Sequence, residues 1–441
     1  MKSILNLYFR IPLISRILTG FVLGVLLGLI ASQSANDSLA HLADTLEPFG
    51  AVLISMLKMV VFPIIFFSLI AGSAALPLKK SGRLGASVLL WYLCTSIFAT
   101  IFGITMAFIM NPKLDASALA GETAASAMVP AGSAAAGLAG FLSNLFLNPF
   151  EALSQGKFLA IIVFAILFGL AARTLLDSSK TESKVKEAIE TLLRVIDALQ
   201  SVAFKLIDWV MEYFPFGVFV LTFVNFTRGG AQLFGPYLRI MLCVICGLLM
   251  MILVIYPLFL AIFCRENPYR VLSRLRRPVI VGFVTRSSSA TLPITIQTMN
   301  NAGVSPALTG FSLPLGSTIN MDGACVHLPV FVILAANIFG VPLTLGKLVT
   351  LVVTVVFSSI GAGGIPSGCI FLLFMILENA GFTPAQTASI VALAFGINPI
   401  LDMFETSCNI TGDMVCTYVV AKNHDMITPA QGGDPAPESG E

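Results

Sequence analysis

Apolar residues run along this chain in long blocks, at about 14–31, 46–75, 84–110, 138–176, 194–226, 233–264, 305–340 and 384–421, separated by short polar joints. About 20 apolar residues in a helix, at ~1.5 Å rise each, cross a hydrocarbon core, so the pattern predicts about eight transmembrane helices. The first block follows Lys2, Arg10 and Arg16, as the core of a secretory signal would. Its length, and the further blocks of the same kind behind it, make it a first transmembrane helix instead.

Two segments break the pattern. Residues 278–301 carry TRSSSATLP at their centre and residues 349–378 carry SSIGAGGIPSG, each reading apolar, turn, apolar. Ser, Gly and Pro clusters leave backbone groups unpaired, which membrane depth tolerates only inside protein or beside a wet cavity. The alternative, surface loops between ordinary spans, fits poorly with apolar arms this short and this close together. Paired interrupted segments mark the binding site of a transporter. The expected fold is therefore an all-α polytopic membrane protein with about eight transmembrane helices plus two re-entrant helical hairpins.

Composition agrees with a lipid solvent: 57% of residues are hydrophobic and 11% charged, so a soluble globular domain is excluded. A net charge of +2, without a basic run interleaved with aromatics, gives no footprint for nucleic acid. The eight cysteines lie in or beside apolar stretches without paired CxxC spacing and read as packing residues. Three scattered histidines make a histidine metal site improbable, and His327 reads as helix packing. Threading from an inside N-terminus puts Lys79, Lys80 and Arg83, then Arg173, Lys180, Lys184 and Lys186, then Arg265, Arg270, Arg274, Arg276 and Arg277 on one side. The opposite joints carry Lys113 and Arg228, so the cation bias places both termini in the cytoplasm.

Four carboxylates fall inside the last two long apolar blocks: Asp322, Asp402, Glu405 and Asp413. Each costs ~3 kcal/mol or more at membrane depth without a partner. Burial against Arg286 or the Arg270–Arg277 cluster accounts for one or two of them, whereas a cation-binding cavity accounts for four. Asp402, Thr406, Asn409 and Asp413 recur at helical spacing and form one polar stripe, bordered by Glu405. Asn320 and Asp322 cannot share a face of a regular helix, so a local unwinding at 320–323 is expected, eased by Gly323. It would free backbone carbonyls for a hard cation such as sodium.

The strings TRSSSATLP, GSTINMDG, SIGAGGIPSG and DMFETSCNITGD, in this order, resemble the dicarboxylate/amino acid:cation symporter family, the glutamate-transporter fold, over nearly the whole chain. The resemblance implies a substrate site in which Asp402 meets the α-ammonium, while Asn409 and Ser287, Ser288 and Ser289 hold the α-carboxylate. Arg286, Ala324, Ile365, Cys369, Glu405 and Thr406 complete it. It implies sodium ligands in three sets: Asp413, Asn409, Asn320 and the Gly316 carbonyl; Asp322 and Asn320 with Tyr92, Thr95 and Ser96; and the carbonyls of Ser359, Ile360 and Ala362 with Thr318. With every ligand type present, Na+ is expected as the coupling ion over a proton.

The same resemblance implies a homotrimer in the cytoplasmic (inner or plasma) membrane. Residues 1–75 would be scaffold spans 1–2, 76–113 the third span of a moving part, 114–137 an external loop and 138–228 scaffold spans 4–5. Residues 229–422 would complete the moving part (span 6, hairpin 1, span 7, hairpin 2, span 8), ahead of a cytoplasmic tail at 423–441. The second hairpin would gate, and the moving part would carry its cargo as an elevator does. Where acidic-substrate members of the family carry arginine, this chain has Glu405, which repels a second carboxylate. Relatives resembling the bacterial serine/threonine:sodium symporter also carry glutamate there, so a small neutral amino acid, serine or threonine first, is expected. Cationic or larger neutral amino acids come next if Glu405 pairs with the substrate, then dicarboxylates or acidic amino acids. A channel is disfavoured because the polar residues cluster around two turns, a sensor because no attached output domain is expected, and an enzyme because no histidine neighbours the serines in sequence.

Overall fold

A computed structural model describes residues 11–33, 37–74, 82–112, 146–155, 158–362, 364 and 367–428. The expected external loop at 114–137, Ile365 and the tail beyond 428 lie outside the described residues. The described chain is helical throughout, and its one β-bridge joins Val304 to Ile427. The fold is that of an all-α polytopic membrane protein, as the block pattern predicts.

Among the described residues, the long helices before the first hairpin are α1 (Leu13–Gln33), α2 (Asp37–Ala74), α3 (Gly82–Met110), α4 (Phe158–Asp177), α5 (Ser183–Gly229), and α6, which starts as Phe234–Met250 and continues to Cys264. Two π-turns, Met251–Ile255 and Leu260–Cys264, interrupt the far half of α6 around Tyr256. Within the apolar block expected at 138–176 the described helices are Pro149–Gln155 and α4, and residues 138–145 and 156–157 lie outside the described residues.

The two interrupted segments are helical hairpins. The first comprises α7 (Arg276–Thr285) and α8 (Ser288–Asn301), the second α11 (Leu345–Ser359) and α12 (Gly368–Asn379). Arms of 10, 14, 15 and 12 residues are too short to cross a hydrocarbon core of ~30 Å, so each hairpin enters and turns back. Between them α9 (Pro306–Ile319) and α10 (Asp322–Phe339) form one broken span, and α13 (Pro384–Asn423) closes the fold. A capping box at Thr383 and Gln386 starts α13, with proline at its first position.

Packing falls into two groups. Helices α1 and α2 lie along α5, and α4 lies on α2. Helices α3, α6 and α10 surround α13, against which both hairpins also pack. In an 18-residue apolar stretch of the span 306–339, 89% of residues are buried, against 28% in such a stretch of α1, which presents Val22, Leu23, Leu26 and Ile30 outward. Apolar helices with exposed apolar faces are suited to lipid, and the enclosed helices are those that carry the carboxylates.

Candidate functional site

The broken span sets the centre of the site. The chain leaves helical geometry at Asn320 (φ −101°, ψ 79°) and Met321 (φ −105°, ψ 57°) and resumes at Asp322. The unwinding is narrower than the expected 320–323, because Gly323 lies inside α10. Glycine is required there by space: a Cβ would stand 2.4 Å from the Glu405 carbonyl of α13. The freed Gly323 N–H, at the start of α10, donates to Asn409 Oδ1 at 2.7 Å.

Around this break three helices exchange hydrogen bonds. Ser96 of α3 donates to Asp322 Oδ1 at 3.0 Å, and Tyr256 of α6 donates to Oδ2 at 2.8 Å. Thr95 donates to Asn320 Oδ1 at 3.2 Å, and Asn320 Nδ2 donates to Asp413 Oδ1 at 3.0 Å. The Tyr92 hydroxyl donates to the Ser312 carbonyl at 2.8 Å. At Gly316 a Cβ would lie 2.6 Å from that hydroxyl and 2.7 Å from Asp413 Oδ1. Thus Tyr92, Thr95, Ser96, Gly316, Asn320, Asp322, Asn409 and Asp413 form one buried oxygen-rich cluster. Thr318 is apart from it: its hydroxyl donates to its own helix at Leu315, and it lines, with Ile360, a cavity of about 360 Å³ facing Ser68 and Gln200. Ser359 bonds back to Val356, and Ala362 follows in the 3-10 turn Ile360–Ala362.

The hairpin tips meet beside this cluster. Arg286 turns the first hairpin in left-handed geometry (φ 55°), and Ser287 caps α8 by accepting from Ala290 N–H. Gly364 of the second hairpin (φ 64°) presents its carbonyl to Ser287 Oγ at 2.9 Å and Ser289 N–H at 3.3 Å. Ser367, at the start of α12, donates its N–H to Asp402 Oδ2 at 2.8 Å. The N-terminal ends of α8, α10 and α12 therefore converge where Asp402, Glu405 and Asn409 line α13, an arrangement suited to anionic groups. Ser288, Ala324 and Thr406 are buried in the same region.

Asp402 and Glu405, both on α13, take different partners. Arg286 Nη1 lies 3.5 Å from Asp402 Oδ2. Glu405 Oε2 lies 2.6 Å from His327 Nδ1 and accepts from Cys369 Sγ at 2.8 Å. His327 is thus a member of the site rather than helix packing. It stands one turn beyond Gly323 on the same face of α10, and that i,i+4 relation was the available signal. Tyr256 was also missed, because nothing in its apolar block marks one aromatic hydroxyl.

Broken helices and two re-entrant hairpins gathered on buried carboxylates, in an otherwise apolar helical fold, define a secondary transporter. The model of the Sodium:dicarboxylate symporter family matches residues 13–423, and the chain belongs to that family. It is 30% identical to "Serine/threonine transporter SstT" of Bifidobacterium adolescentis, over 94% of this chain and 90% of that one. It is 31% identical to "Neutral amino acid transporter B(0)" of Homo sapiens, over 89% of this chain and 76% of that one. It is 29% identical to "Proton/glutamate-aspartate symporter" of Escherichia coli, over 92% of both. The protein is a membrane symporter of amino acids or dicarboxylates, not an enzyme.

Proposed function

We propose that this symporter uses the sodium gradient to import a small neutral amino acid, with serine and threonine first. The setting of Glu405 carries the reading. Both of its described bonds fall on Oε2, and its partners are His327 and Cys369 rather than an arginine. Oε1 is then the acceptor for a substrate hydroxyl, and the carboxylate repels an acidic side chain. Asp402 takes the α-ammonium, while Asn409 and the serines at the start of α8 take the α-carboxylate.

The buried oxygen cluster supports sodium as cargo, since a hard cation prefers oxygen ligands. One ion falling down a ~10-fold gradient and ~100 mV releases about 1.4 plus 2.3 kcal/mol, several hundredfold accumulation per ion. In this reading α1, α2, α4 and α5 form a fixed scaffold in a homotrimer. The remaining spans, with both hairpins, travel across the cytoplasmic membrane as a unit, and both termini face the cytoplasm. Two of the relatives bear the names of serine/threonine and neutral amino acid transporters. The third is named for protons and acidic amino acids, so the test must separate the two cases.

Uptake of labelled serine, threonine, aspartate and arginine into proteoliposomes, with and without an inward sodium gradient, is that test. Sodium-dependent serine or threonine uptake without aspartate uptake is expected. Robust aspartate uptake overturns the reading of Glu405, and uptake driven by a proton gradient alone overturns that of the oxygen cluster.

A further inference from the structure

His327 of α10, Cys369 of α12 and Glu405 of α13 bring an imidazole nitrogen, a thiol and a carboxylate oxygen within 4.8 Å of one another. All three side chains are buried, and they come from three different helices. This donor set differs in kind from the oxygen cluster around Asp322 and Asp413. Nitrogen and sulfur suit a borderline-soft divalent cation and are poor ligands for sodium.

We infer that His327, Cys369 and Glu405 form a binding site for a divalent cation of the zinc class, separate from the coupling-ion ligands. A tetrahedral zinc ion, at ~2.0 Å from nitrogen and ~2.3 Å from sulfur, holds those two ligands about 3.5 Å apart. Cys369 Sγ and His327 Nδ1 already stand 3.5 Å apart. Glu405 Oε2 sits closer to both and must retreat by roughly 0.7 Å to complete the tetrahedral edges. Charge also balances. On binding, Cys369 gives up its thiol proton to solvent, and thiolate plus carboxylate neutralise the +2 ion, while Asp402 is neutralised by Arg286. The fourth position stays open.

The site has one weak point, which sets its affinity. Metal on Nδ1 leaves the proton of His327 on Nε2, and that buried atom has no hydrogen-bond partner among the described residues. A missing second partner of this kind weakens metal sites by about 10–100-fold, so binding is reversible by a chelator. Because Cys369 belongs to the second hairpin and the other two ligands to full spans, a bound ion ties α12 to α10 and α13. The inference holds whether or not Glu405 also meets the substrate.

The test is cadmium titration of the purified full-length protein, read by the ultraviolet absorption of a cadmium–thiolate bond. No transport is needed, so failure here is distinct from failure of the symport reading. One saturable equivalent in the wild type, lost in Cys369→Ser and weakened at least tenfold in His327→Asn, is the expected result. No saturable band, or a band unchanged in Cys369→Ser, overturns the site. Should either variant misfold, X-ray absorption of the wild-type zinc complex decides: one sulfur with nitrogen or oxygen neighbours supports the site, and a shell with no sulfur or with two overturns it.

Discussion

Arg286, at the tip of the first hairpin, points its guanidinium at Asp402 on α13, with Nη1 3.5 Å from Oδ2. Glu405, one turn further along the same helix, is left to His327. One arginine therefore neutralises Asp402, the carboxylate proposed to meet the substrate ammonium, while Glu405 has no arginine or lysine partner among its described bonds.

That pairing makes Arg286→Met informative. Removing one partner of a buried pair leaves an uncompensated charge, costing about 3 kcal/mol in the substrate-free protein. A bound ammonium group would replace the lost cation. Thermal unfolding should show a lower Tm for the variant and a larger stabilisation by amino acid than in the wild type. An equal ligand-induced shift in the two proteins would dissociate Asp402 from the ammonium.

Gly323→Ala tests the close approach of α10 and α13. The added methyl meets a backbone carbonyl at 2.4 Å, an atom that cannot rotate away, so the two helices must part. Overpacking of this kind costs about 1–3 kcal/mol, and the bond from Gly323 N–H to Asn409 should lengthen with it. Reduced Tm together with weaker substrate binding is expected. A variant with wild-type affinity would mean that Asn409 needs no such placement.

Asp413→Asn keeps the shape of the oxygen cluster and removes a charge. Sodium affinity, followed as stabilisation of the purified protein across a sodium titration, should fall at least tenfold, equivalent to about 1.4 kcal/mol. Unchanged sodium dependence would remove Asp413 from the ligand set.

At the polar end of α13, Glu266 accepts from Lys422 at 2.5 Å and from Tyr418 at 2.9 Å. Burial pushes the Glu266 carboxyl upward, but the bonds from Lys422 and Tyr418 outweigh it and hold it below its ordinary value of 4.5. A carboxyl lowered by folding stabilises the fold above that ordinary value, and its contribution fades as pH falls through the lowered one. Both side chains are partly exposed, which limits the effect to less than about 1 kcal/mol. Tm of the wild type should fall on acidification below pH 4.5, with a shallower fall in Glu266→Gln. Parallel pH profiles would show that the pair carries no such linkage.

Much of the site was legible because helical order is local. The stripe Asp402, Thr406, Asn409 and Asp413 follows from spacing alone, and α13 presents it inward as one face. The break at Asn320 and the two hairpins follow from residues whose backbone preferences act within a few positions. Gly323 shows the limit: its place in the motif suggested freedom of backbone, and the structure assigns it to a helix-to-helix contact instead.

The sequence by itself determined the membrane setting, the helical class, the interrupted segments and the inward carboxylates. Each rests on hydropathy or on neighbours within one or two turns. Only the tertiary structure decided that Arg286 serves Asp402, that His327 and Cys369 serve Glu405, and that Tyr256 serves Asp322. These pairs lie 116, 78, 36 and 66 residues apart. Which side chain neutralises which buried charge is a matter of helix packing across those separations, and no local pattern along the chain encodes it.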